Sequence, residues 1–245
     1  MKVTLNREMF TTSTFDSGSL GVLASVVHQF TAPGRYRAVV QRHAAVVGTT
    51  FFEVSETAGL QLDVDLAAVH RAGPATAADC GCDPARAGSA LLPAVSPQGY
   101  VLFFASSGGG YSVAVGPDTE RGPVAFDSQN LGAGDLFALS LLEPTVYTMV
   151  NRHGGAPGEI VVVFSAERAR GLQNLEPQYV DVSRAGFQPS RLQVSSAQGI
   201  VFRVQAAARI VVEKRDPEKT RPEPRRPVRF TRLRPPEPPR RRGRA

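Results

Sequence analysis

Apolar and polar residues alternate along much of the chain with a period near two, which predicts strands. Leu60, Leu62, Val64 and Leu66 alternate with polar neighbours across 59–68, the pattern of a half-buried strand. Short β-branched and aromatic runs recur at VVHQF and YRAVV, divided by the turn signal Ala32-Pro33-Gly34, and again at TTFFEV, GYVLFFA and YSVAV. No segment sustains a helical period, so the expected fold class is all-β. Residues 1–14 are polar and β-leaning, with room for one more strand. Residues 69–97, rich in Ala, Pro and Gly, read as a long surface loop with room for one helical turn. Gly108-Gly109-Gly110 lacks the Lys and the following helix of a phosphate cradle and reads as a hairpin turn.

The pattern is internally repeated. Phe15, Asp16, Ser17, Leu20, Gly21, Pro33 and Tyr36 match Phe126, Asp127, Ser128, Leu131, Gly132, Pro144 and Tyr147 at an offset of 111. Gln41, Arg42, His43 and Gly48 then align with Asn151, Arg152, His153 and Gly158 at 110. Weaker echoes follow, Gln98-Gly99 with Gln198-Gly199 at 100 among them. The pieces run as a half-unit (15–54), a whole unit (about 59–164) and a second half-unit (about 172–214). A lone half would expose sheet edges and an apolar face. The expected division is therefore one sandwich from 1–56 with 172–214, one from 57–166, and a tail at 215–245. Pairing of the halves between subunits is the rival arrangement.

Length and composition fit two ordinary domains with real cores: 245 residues, 42% of them apolar. No apolar run approaches the roughly 20 residues of a spanning helix, so membrane insertion is not expected. MKVTLNREMFTTSTF carries no apolar signal core, which makes a cytoplasmic location the default expectation. The net charge of +6 sits in one place. Residues 215–245 hold 12 Lys/Arg against 4 Asp/Glu, a local +8, leaving 16 against 18, or −2, in the body. The tail, with 8 prolines after Lys214 and few apolar residues, has no means to build a core and is expected to be disordered. Its Arg225, Arg226, Arg240, Arg241 and Arg242 would attract nucleic acid or an acidic surface without reading sequence.

Two stretches resemble the cupredoxins, the blue-copper Greek-key β-sandwiches. PTVYTMVNRHGGAPGEIVVV (144–163) is similar to their closing pattern, and VSRAGFQPSRLQVSSAQGIVFRV (182–204) to an early strand pattern. The resemblance implies two cupredoxin-like sandwiches, one per repeat. It also implies a copper site of two imidazoles, a thiolate and a weak axial thioether. Those ligands fail to carry over. Four residues after the tyrosine, the thiolate position holds Asn151 in one copy and Val40 in the other. His153 stands one residue short of the usual imidazole position, which is Gly154, and no Met follows. The resemblance thus implies a framework without a type-1 copper site and no cofactor, with a protein partner or self-association as its business. Copper binding or electron transfer through an unconventional set is the alternative.

The candidate ligands of such a set are His43, His153, His70, Cys80 and Cys82. Cys80 and Cys82 are too close for an unstrained mutual disulfide and read first as free loop thiols. His43 and His153 read first as polar turn residues, since one imidazole supplies one donor where a site needs three. His28 reads as capping a sheet edge or packing in a core. Asp16 and Asp127 read as turn caps. Gln41, Arg42, Asn151 and Arg152 mark the loops where scaffolded recognition is expected. There is no nucleophile elbow, zinc-protease helix, P-loop or dinucleotide fingerprint, so an enzyme is not expected.

Overall fold

The computed structural model describes residues 7–73, 92–119, 122–164 and 175–215. The chain opens on a one-turn helix, α1 (Glu8–Thr11), and a short strand, β1 (Thr14–Asp16). It continues through β2 (Ala24–His28), β3 (Gly34–Arg42), β4 (Ala45–Val54), β5 (Gln61–Asp65), helix α2 (Leu66–Ala72), β6 (Ala94–Val95), β7 (Tyr100–Phe104) and β8 (Tyr111–Pro117). The second copy starts at β9 (Phe126–Asp127). It runs through β10 (Leu136–Ser140), β11 (Val146–Asn151), β12 (Gly158–Val163), β13 (Gln178–Ser183), β14 (Gly186–Gln188), β15 (Arg191–Ser195), β16 (Gly199–Val204) and β17 (Ile210–Lys214). The fold is all-β, as the alternation predicted, and its sheets are arranged in the manner of a sandwich.

A seven-stranded central sheet has the order β14-β13-β16-β10-β2-β7-β5. Two five-stranded sheets, β9-β8-β3-β4-β6 and β1-β17-β11-β12-β15, repeat one order with equivalent strands. The central sheet reads the same way outward from the β2–β10 seam, so the repeat appears as a pseudo-twofold axis. Register agrees: Tyr36 lies opposite Phe52 and Pro117, as Tyr147 lies opposite Ile160 and Lys214. One face of the central sheet supplies Val26, Val101, Phe103, Phe137, Ile200 and Phe202, each 0% exposed. Phe103 stacks on Phe126, centroids 5.4 Å apart, tying the central sheet to the first five-stranded sheet. Each such ring removed from water is worth about 1.5–3 kcal/mol.

The first strand of each copy belongs to the other copy's sheet. β1 pairs with β17, placing Phe15 opposite Val212, and β9 pairs with β8, placing Phe126 opposite Val115. The repeated Asp-Ser that follows makes the exchange stick. Ser17 and Ser128, both fully buried, accept the backbone N–H of Ile210 and Val113 respectively. Asp16 and Asp127 cap their turns by accepting from Gly18 and Gln129, as expected of a turn aspartate.

Strand pairing divides the chain differently from the half-unit expectation. β3 and β4 (within 34–54) pair with β8 and β6 (within 94–117), not with 172–214. Among the described residues of the first 56, only β1 and the adjoining Ser13 and Ser17 hydrogen-bond directly into that distant segment. A tandem repeat shows its period but not where a folded unit begins, and closing strands over shorter loops costs less entropy. Two local readings also change. The Gly108–Gly110 segment joins β7 to β8, which lie in different sheets, so it is a crossover between layers and not a hairpin turn. Val101 and Ile200 face the core at equivalent places, so the echo at 100 is structurally 99, since a one-residue slip would turn every side chain to the wrong face.

The one helical turn expected in 69–97 is the end of α2, which starts earlier, at Leu66, inside the stretch read as a strand. Asp65 caps α2 by accepting from the Ala67 N–H at 3.0 Å, and Gly73 (φ 76°) ends it. Leu66 and Ala67 are buried, and Val69 meets Gly48 of β4. Among the described residues no helix is long and apolar enough to cross a membrane.

Candidate functional site

At one end of the first half, four chain segments converge. β3 turns into β4 through His43 and Ala44, both with positive φ (49° and 67°), as a two-residue hairpin of matching twist requires. His43 donates its N–H to the Gly110 carbonyl at 2.9 Å, and its ring rests where a Cβ on Gly110 (φ +83°) would stand. Only glycine fits there. Arg42 Nε donates to the Gly109 carbonyl at 3.1 Å, with the guanidinium 5.2 Å over the Tyr111 ring. From the other side Glu8 Oε2 accepts the Gly108 N–H at 2.7 Å. His70, in the last turn of α2, sets Nδ1 3.0 Å from the Tyr111 hydroxyl. Gln41 sits one residue back in β3, opposite Ser112.

Glu8, Thr12, Asp16, Arg42 and the Gly108–Gly110 backbone border an open cleft of about 400 Å³. The cleft offers a delocalised cation, carboxylates and hydroxyls within one wall. Such a lining both donates and accepts, and suits recognition of a polar group.

The corresponding end of the second half is built differently. Asn151 closes β11, is 7% exposed, and its Oδ1 accepts the N–H of both His153 and Arg209 at 3.1 Å. Arg152 reaches Glu213 at 3.3 Å, and His153 is exposed in the loop before β12. Arg209 grips Asp16 with Nε and Nη2 at 3.1 and 2.9 Å. The hydrogen bond to Asp16, helped by attraction to Asp16 and Asp127 and opposed by burial, raises its pKa further. Where the first half has Tyr111 bonded to Leu20, the second has Ala208 bonded to Leu131. The aromatic floor is missing, and a half-buried ion pair fills the end instead. The β11–β12 connection also runs from 152 to 157, against two residues in the first half, so His43 and His153 occupy loops of different build despite their sequence match.

The structure thus brings Arg42, His43 and His70 around Tyr111 and leaves Asn151, Arg152 and His153 in a separate cluster. Among the described residues no group of three or more His, Cys, Asp or Glu side chains is placed to hold a metal ion. Cys80, Cys82 and the tail residues Arg225, Arg226, Arg240, Arg241 and Arg242 lie outside the described residues.

Three participants were not legible beforehand. Tyr111 and Glu8 are ordinary members of a strand and a polar leader, and only the crossover of chain segments gathers them. His28, expected at an edge or in a core, lies at the β2–β10 seam with Nδ1 2.6 Å from Asp135 Oδ1. The carboxylate is 4% exposed and also accepts the Gly132 N–H through Oδ2 at 2.6 Å. An acidic residue at the head of the apolar LFALS run was the signal for it. The chain matches no protein-family model, no curated protein and no solved structure.

Proposed function

We propose that this is a non-catalytic binding or structural protein built on two cupredoxin-like Greek-key sandwiches whose type-1 copper ligands have been replaced. The observation that carries the reading is Asn151. At the place where a blue-copper centre needs a thiolate, a carboxamide oxygen accepts two backbone N–H groups and pins the loop. The first copy places Val40 there, fully buried in the core. Neither side chain can supply the soft, charged sulfur that defines such a centre. Both positions have been turned over to holding the framework. Binding is assigned to the Arg42–Gly110 cleft, since rigid strands present its loops and its cation rests on an aromatic face.

Titration of the full chain with Cu(II), followed by visible absorption, tests the reading. The expected spectrum has no intense sulfur-to-copper charge-transfer band, in the wild-type chain or in a Cys80→Ser/Cys82→Ser variant. Such a band in the wild-type chain overturns the proposal, and its loss in the variant would locate the thiolate.

A further inference from the structure

Among the described residues, the central sheet packs one of its faces into the core and leaves the other uncovered. On its other face, β5, β7, β2, β10 and β16 present one continuous row: Asp63, Leu102, Val27, Leu136 and Arg203, each opposite the next in register. The three apolar members are half-buried, Asp63 is exposed, and the Arg203 side chain is 52% exposed. Two shallow depressions of about 290 and 250 Å³ lie over this face.

We infer that this face pairs with the same face of a second copy of the chain. Over these five strands the row is a palindrome in size, with Asp63 at one end and Arg203 at the other, and β13 continues it with Asp181 beside Arg203. A dyad parallel to the strands and centred on β2 lays Val27 on the partner's Val27, Leu102 on the partner's Leu136, and Asp63 on the partner's Arg203. Such self-complementarity is what an isologous interface demands. A dyad running across the strands would set Asp63 against its own copy and Arg203 against its own, so the charges select the first arrangement. The neighbouring row fits the same operation, with Phe104 over the partner's Ala138, large upon small. Arg203 already gives Nε and Nη2 to Asp181 and keeps further N–H donors for the incoming carboxylate.

Five strands about 4.8 Å apart and five residues long present about 400 Å² per copy, so a pair covers about 800 Å². That is below the size of stable interfaces, which makes the dimer a weak, micromolar one rather than a permanent one.

Sedimentation of the full chain from about 1 to about 500 µM tests the inference. The expected result is a monomer–dimer equilibrium, weakened at least about tenfold by Leu136→Asp and also by Asp63→Arg. The exchange Asp63→Arg/Arg203→Asp restores it relative to Asp63→Arg alone. Asp63 is a surface residue, so its variant reports on association even where Leu136→Asp fails to fold. A chain that stays monomeric throughout, leaving the face to another protein or to a segment of its own, overturns the inference. So does a dimer indifferent to these changes.

Discussion

Where β2 meets β10, Asp135 is withdrawn from water and held at 2.6 Å by a single imidazole, His28, with Phe30 and Phe126 packed beside it. The pseudo-twofold supplies a control within the same molecule, because the equivalent pair on the seam is Leu139 opposite Ala24. One position solves the packing with a hydrogen-bonded imidazole and carboxylate, and its mate solves it with hydrocarbon. Removing one member of a buried pair leaves the other desolvated and unpaired, whereas removing both need not cost as much. Asp135→Ala is therefore expected to lower unfolding free energy by about 2–4 kcal/mol. His28→Leu/Asp135→Ala, which rebuilds the mate's chemistry, should recover at least half of that loss in denaturant melts. A double variant no better than the single one would show that the pair is not what holds the seam. The turn roles of Asp16 and Asp127 were legible from Asp-Ser beside a glycine or polar turn. The His28–Asp135 contact was not, because 107 residues separate its members and no local rule joins them.

Among the elements, α2 shows how a strand pattern hides a helix start. Leu60 to Leu66 alternates as one strand, yet the strand stops at Asp65 and Leu66 opens the helix. Asp65 serves both sides of that junction: it caps Ala67 and also accepts the Ser106 hydroxyl and N–H at 2.6 and 3.1 Å. Burial alone would raise its pKa, but the Ser106 bonds and the amides of Ala67 and Ala68 outweigh it and hold the carboxyl below the usual aspartate value. A carboxyl depressed on folding contributes stability above its unfolded pKa, near 3.9, and loses it as pH falls through the lower folded value. Asp65→Ala should cost about 1 kcal/mol near neutral pH, and the difference from wild type should shrink as acid protonates the wild-type carboxyl. Hydrogen exchange of the α2 amides at both pH values measures it, and an undiminished difference at low pH would contradict the assignment. The hairpins make a related point. The 43–44 and 152–157 connections descend from one matched stretch of sequence but differ in length, since aligned residues do not specify strand register beyond a turn.

Across the whole molecule, the described residues, which end at Arg215, form one compact body. The two halves share the central sheet through the β2–β10 ladder and exchange their first strands, β1 for β9. Neither half retains a complete sheet without the other, so calorimetry should show one cooperative transition for this body, with calorimetric and van't Hoff enthalpies in agreement. Two resolved transitions would mean that the exchange and the shared sheet do not couple the halves. The chain's own order of residues determined that strands would dominate, that one module occurs twice, that Asp16 and Asp127 cap equivalent turns, and that the net positive charge is confined to the end. Periodicity and turn chemistry are local, and a duplication repeats them faithfully. Which strands share a sheet, the trade of β1 for β9, and the meeting of Glu8, Arg42, His70 and Tyr111 were decided by the tertiary structure. Those choices rest on closure of long loops and on burial of faces that every copy of the module presents alike, and a repeated pattern carries no mark of which copy its strands will join.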